Sequence, residues 1–407
     1  MMESSAQGLS GRQNPIERFA DVTVLVLCLS IGLTGVLASM GITVLVALAG
    51  LAGLVAWISA NRPPIALPRL PLITLAALIV WAAISSLWAL NEPKAFILCL
   101  RLFALCLAGL SLLYASHGYS PRIRARLNNA LMAGYTLGLL ALVIGFIYIK
   151  QTGDSLWGSY FNDPLTTLNN GAVIMALLLW PVAMIVWSRI HPAAAVLLVG
   201  IVASGLLFLS SGASLLSIAS GLIAFVLVFA FGRPAGLAIG VIIAGLIVMA
   251  PPVMENFSHS ESLKNLAMDA PTSVEHRLLM WDFVTSKIAE NPLLGWGMDS
   301  SRNLPQDAFR LAPNMEIMPL HPHNAALQIR LELGWPGIII AAALILTIFQ
   351  SILNADLPKF QIAIRVAAAS AYLSVGAVSY GVWQNWWIAM AWALAATVTI
   401  AIPHNSS

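Results

Sequence analysis

The chain has 407 residues, of which 59% are hydrophobic and only 9% charged, with a net charge of +3. A soluble domain of ordinary composition carries about 25% charged residues. This balance, together with a mean hydropathy of +0.87, excludes a soluble globular enzyme and implies an all-α, polytopic integral membrane protein, with membrane lipids as partners and no basic footprint for nucleic acid.

Residues 1–18 are polar and contain Arg12 and Arg18, with no cleavable signal, so the first apolar run reads as a retained helix. A spanning helix needs roughly 20 mostly apolar residues. On that criterion the chain predicts about 12 transmembrane helices, over 19–39, 41–60, 72–90, 95–114, 128–149, 170–188, 194–209, 215–232, 235–253, 325–353, 361–380 and 385–402. Cys28, Cys99 and Cys106 fall inside these runs without metal or disulfide spacing and read as small buried hydrophobes.

Arginine and lysine in the short loops set the orientation. With the N-terminus in the cytoplasm, Arg12, Arg18, Arg62, Arg69, Arg122, Arg124, Arg126, Arg189, Arg233 and Lys359 all fall inside, whereas the short outer loops hold only Lys94 and Lys150. Both termini are then expected to be cytoplasmic. The chain divides into 1–253 with helices one to nine, a periplasmic loop over 254–324, and 325–407 with helices ten to twelve.

Two outer loops are long and polar. One covers about 150–169, with Asp154, Trp157, Tyr160, Phe161 and Asp163. The other, 254–324, far exceeds the roughly 12–15 residues beyond which a loop is usually functional. Its Leu278, Trp281, Val284 and Ile288 recur at helical spacing, which predicts short helices over the membrane. No matched pair of interrupted helices of the transporter kind is evident.

The long loop closes on His321-Pro322-His323-Asn324. Two imidazoles at a bilayer face suit proton transfer near neutral pH. Asn324 stands where it can cap the following helix and fix His323. The loop has no D-x-D pair and no H-E-x-x-H, so no metal site is expected. Arginines form the second constellation. Arg101 lies inside an apolar span, where a charge faces the protein interior, a cavity or, by snorkelling, the interface. Arg277, Arg302 and Arg310 lie on the long loop. Arg330 follows His323 by seven residues and shares its face if helix continues between them. Guanidinium groups gathered on one face suit a phosphate or diphosphate.

Gly295-Trp296-Gly297 reads as a tight turn, and Gly334-Trp335-Pro336-Gly337 as a helix bend. Trp383, Trp386 and Trp387 read as an interfacial aromatic belt, with stacking on a sugar ring as the alternative.

These motifs together resemble the O-antigen ligase and polymerase superfamily of bacterial membrane glycosyltransferases. His323-Asn324, nine residues, Gly334, two residues and Gly337 is similar to the ligase signature, and Arg277, Trp281 and Asn291 through Gly297 are similar to the family's R…W…NPL.G.G stretch. Many members carry Ser-Arg-Gly-Ala in an earlier helix. Here that stretch is Ser210-Ser211-Gly212-Ala213, so another cation, Arg101 or Arg302, must act if the family arginine holds the lipid diphosphate.

The resemblance implies transfer of a glycan from undecaprenyl diphosphate to lipid A–core on the periplasmic face of the inner membrane, without metal or other cofactor. His323 would act as base and Arg277 as the first leaving-group cation. Arg302, Arg101, His321, Asn324 and Arg330 would bind substrate. An O-antigen or exopolysaccharide polymerase is the alternative, and a lipid-linked saccharide transporter the less favoured one.

Overall fold

The computed structural model describes residues 15–59, 67–156, 164–209, 211–258, 272–305, 310–312, 315–318 and 320–403. Arg12, Arg62, the 157–163 part of the first outer loop, Ser210 and the acidic residues of 259–271 lie outside them.

Twelve helices occupy the twelve predicted apolar runs. They are α1 (Pro15–Leu37), α2 (Gly41–Ser59), α3 (Arg69–Ser85), α4 (Glu92–His117), α5 (Pro121–Thr152), α6 (Asn169–Arg189), α7 (Pro192–Leu207), α8 (Gly212–Phe231), α9 (Arg233–Ser258), α11 (Ala325–Asn354), α12 (Lys359–Gly376) and α13 (Asn385–Ala401). A further helix, α10 (Thr272–Glu290), lies in the long loop, followed by a 3₁₀ turn at Ser300–Asn303 and a short antiparallel pair, β1 (Arg310–Ala312) and β2 (Met315–Glu316). Among the described residues, nine helices are long and apolar enough to cross a membrane, and α7 and α13 are shorter apolar helices.

Local chemistry sets many of the helix ends. Asn91 and Ser120 accept hydrogen bonds from Lys94 N and Ile123 N, and a proline opens the first turn of both α4 and α5. Gly153, at φ 72°, stops α5 in the left-handed conformation that costs glycine least. Proline-opened, capped helices explain why α5 starts seven residues before its apolar run.

The core is organised around α6, buried continuously from Gly171 to Val186. It packs against α1, α5, α7, α8, α12 and α13. Where α1 meets α5, a Cβ on Gly32 would lie 2.3 Å from the Gly134 carbonyl oxygen, so only glycine allows that backbone approach. Outward-facing apolar residues such as Leu100, Leu197, Phe208, Phe231 and Leu246 remain exposed, as a lipid-facing surface requires. The three cysteines are buried and unpaired, as expected.

The two ends of the bundle differ. At one end, Arg189 bonds Asn129, Arg233 bonds the Ala355 carbonyl and Lys359 bonds the Ala230 carbonyl. At the other, α10 and the glycine-rich turn after it cover the start of α11.

The helix α11 is broken. Gly334 has φ 64° and ψ −158°, and the chain resumes as helix beyond it. The carbonyls of Leu331 and Glu332 lose their helical partners there. Trp296 N and Gly297 N donate to them instead, each at 2.9 Å, while Trp335 N donates to the Leu293 carbonyl at 2.9 Å. Trp81 Nε1 caps the Leu333 carbonyl at 2.9 Å. The two glycine motifs therefore form one backbone splint, which satisfies polar groups freed within an apolar helix.

Candidate active site

The histidine segment is held from three sides. From α10, Trp281 Nε1 donates to the Pro322 carbonyl at 2.8 Å, and His276 Nε2 donates to the Ile317 carbonyl at 3.0 Å. From below, Asn324 caps α11 by accepting from Leu327 N at 3.1 Å. From the turn between α12 and α13, the Ser379 carbonyl accepts from His323 Nδ1. That turn exists because α12 ends at Gly376, four residues short of the predicted run.

His323 adopts φ 51°, a left-handed conformation rare outside glycine. Its backbone turns away before α11 begins, so His323 and Arg330 are not successive residues of one helical face. Arg330 is buried, with its guanidinium carbon 4.3 Å from the Trp335 ring centroid.

His321 packs edge-on against His323, with ring centroids 4.4 Å apart. His321 is buried, and its Nε2 accepts from Gln384 Nε2 at 2.9 Å. A Cβ on Gly381 would fall 2.0 Å from His321 Cδ2, so the backbone at 381 is shaped around the imidazole. Burial, then the neighbouring His323, pushes the His321 pKa down to about 4. The His323 pKa is also lowered, by burial first and then by the charges of Arg277 and His276, against the Ser379 hydrogen bond.

Two arginines reach this pair electrostatically. Arg277 acts on His323 and Arg302 on His321. Arg302 is exposed and pairs with Asp299 at 2.9 Å. Burial raises the Asp299 pKa, and the nearby Arg302 and Lys94 oppose that rise. Arg277, His321, His323, Arg302 and Asn324 thus come together. Arg101 lies instead on an exposed side of α4. The backbone of Arg310 is in β1, and its side chain lies outside the described residues.

Beneath the pair sits Glu332, fully buried. Its Oε2 accepts from Asp299 N at 2.8 Å and Trp383 Nε1 at 2.7 Å, and its Oε1 accepts from Gln328 Nε2 at 3.1 Å. Gln328 in turn accepts from Val382 N at 2.9 Å. One carboxylate therefore ties the broken helix to the Asp299 loop and the 382–384 turn. An acid inside an apolar run is the signal that could have identified it.

The tryptophans are not an interfacial belt. Trp383, Trp386 and Trp387 are buried, with Trp387 stacked on Tyr372 at 4.2 Å. Their polar edges are used inside, as the Trp383–Glu332 bond shows. Ser211, where the resemblance leads one to expect an arginine, is buried at the start of α8, and its carbonyl accepts from Ser214 N at 3.1 Å. Among the described residues, no three His, Cys, Asp or Glu side chains gather as a metal cluster.

Residues 193–342 match the family model described as O-Antigen ligase. The chain is 30% identical over 315 residues to the "Putative polysaccharide ligase" of Rickettsia conorii, covering 76% of this chain and 74% of the relative. It is 30% identical over 318 residues to a protein of the same description from Rickettsia bellii, covering 76% and 75%. A third, from Rickettsia prowazekii, is 27% identical over 318 residues, covering 76% and 75%.

Proposed function

We propose that this chain, which belongs to the O-antigen ligase family of membrane glycan-transferring enzymes, moves a glycan from undecaprenyl diphosphate to a hydroxyl of lipid A–core at the periplasmic face of the inner membrane. In this reading all twelve helices α1–α9 and α11–α13 span the bilayer, both termini are cytoplasmic, and the long loop with the histidines is periplasmic. The observation that carries the proposal is the paired His321 and His323, locked above a broken helix with Arg277 and Arg302 within Coulombic reach.

The Ser379 carbonyl can only accept, so His323 Nδ1 carries a proton and Nε2 is the basic nitrogen. Nε2 takes the proton of the acceptor hydroxyl as that oxygen attacks the anomeric carbon. The new C–O bond forms as the bond to the diphosphate breaks, and the electron pair leaves with the lipid diphosphate. A single displacement inverts the anomeric centre. Base catalysis of this kind contributes about 10²–10⁴-fold. Arg277 and Arg302 stabilise the charge that develops on the leaving diphosphate. Asn324 caps α11 directly after His323, while Trp281, Glu332 and Gln384 position the surrounding segments.

A polymerase would use the same donor and base. The 323–337 spacing favours the ligase. Deleting the gene tests the choice through the surface glycan. Bare core with accumulating lipid-linked polymer is expected, whereas core carrying one repeat unit would assign a polymerase. Full-length glycan on core in the deletion strain would refute both.

A further inference from the structure

At the end of the bundle opposite the histidines, a cavity of about 320 Å³ opens between the ends of α4, α5, α12 and α13. That is room for roughly ten water-sized occupants. Its polar lining is Arg124, Arg365, His117, Gln361, Asp356 and Thr399.

Arg124 is 8% exposed; its Nη atoms bond the carbonyls of Ser116, Thr399 and Ile400, and its Nε has no partner. Gln361 is 6% exposed, and its Oε1 is likewise without a partner. Arg365 stands six residues into α12, about 9 Å along it. It makes no ion pair or hydrogen bond among the described residues. His117 Nδ1 bonds the Leu113 carbonyl at 2.8 Å, and both guanidiniums lie within Coulombic reach of the ring. Asp356, the lone acid of the lining, is exposed and pairs with neither arginine among the described residues.

We infer that this cavity is a second binding site, which takes a phosphate-bearing anion on Arg365, Arg124 and Gln361. A partly buried cation needs a partner, and the lining supplies two guanidiniums against one exposed carboxylate. Guanidinium matches phosphate oxygens bidentately. The carboxamide of Gln361 can meet a hydroxyl beside the phosphate, and the volume exceeds that of a bare ion. Basic residues retained merely to orient the chain would sit in water, whereas Arg124 and Gln361 are buried around an open space. The phosphate can come from an anionic phospholipid headgroup or from a soluble phosphate ester. The site is independent of the glycan-transfer reading.

The test is thermal unfolding of the purified full-length protein in neutral detergent. It is titrated separately with phosphatidylglycerol, glycerol 3-phosphate and inorganic phosphate, with phosphatidylcholine as control. Saturable stabilisation by at least one phosphate-bearing probe over the control is expected. Its midpoint should weaken at least about tenfold in Arg365→Gln, and less in Arg365→Lys. Gln361→Leu keeps the charge and should weaken binding on its own, which covers a poorly folding Arg365 variant. Stabilisation by phosphatidylglycerol alone identifies a lipid headgroup, and stabilisation by glycerol 3-phosphate as well identifies a soluble ester. Wild type that responds to none of the probes, or variants with unchanged midpoints, would overturn the site.

Discussion

A histidine works as a base only while its free nitrogen is unprotonated. His323 is arranged for that: burial and the charges of Arg277 and His276 hold its pKa below the ordinary value of about 6.5. The acid limb of the transfer rate should therefore have its midpoint below pH 6.5. Replacing Arg277 with Gln should raise the acid limb, because one charge opposing protonation is gone. A pH–rate profile whose acid limb sits above 6.5 in the wild type would contradict this. His321 adds a stability effect of the same sign. Its folded pKa of about 4 lies below the unfolded value, so its contribution is complete above roughly pH 6.5 and is lost as pH falls toward 4. Glu332 is the other residue on which much converges. Glu332→Gln swaps one acceptor oxygen for a donor against three existing donors. Each orphaned donor should cost about 1–3 kcal/mol, read as a lower thermal unfolding midpoint. An unchanged midpoint would remove the carboxylate from the support of the site.

At the scale of elements, the broken helix and the turn that splints it are a single unit. Gly334 at φ 64° faces the Leu293 carbonyl oxygen, 2.2 Å from where a Cβ would lie. Gly334→Ala should cost about 1–3 kcal/mol in backbone strain, before the steric overlap is added, and should lose activity with stability. Gly381→Ala separates the two effects. Its added methyl meets the His321 ring rather than a backbone splint, so activity should fall at least about tenfold while most of the folding cooperativity remains. Wild-type turnover in Gly381→Ala would mean that the His321 position is irrelevant to transfer. The sequence shows these glycines as a turn and a bend, because each motif is local. That they dock on each other depends on contacts some forty residues apart, which periodicity does not carry. The same applies to Ser379, whose carbonyl became available only because α12 stops at Gly376.

At the scale of the whole molecule, hydropathy located a helix in each of the twelve predicted runs, nine of them long and apolar enough to cross a membrane among the described residues, since each must bury or satisfy its backbone within its own segment. It could not tell which helix is the pillar. The total burial of α6 and the inward-facing tryptophans of α13 depend on neighbours, and a Trp-rich run at a helix start looks the same whether it faces lipid or core. The histidines and loop arginines were legible because polar chemistry after a long loop has few packing explanations. Glu332, Gln384 and the Arg124–Arg365 cavity were not, because each is a single polar residue within or beside an apolar run. Orientation can be tested directly. A cysteine at the exposed Arg302 should react with an impermeant maleimide in intact spheroplasts, and one at the exposed Asn354 only after permeabilisation. The three native cysteines are buried and should contribute little background. The reverse labelling pattern would invert the membrane orientation and move the histidines to the cytoplasm.

The most direct measurement reconstitutes the reaction from purified protein, undecaprenyl diphosphate-linked glycan and lipid A–core, with EDTA present, comparing wild type with His323→Ala at equal folded amounts. The account predicts glycan on lipid A–core with the wild type and none with the variant. Transfer by His323→Ala at the wild-type rate would contradict it.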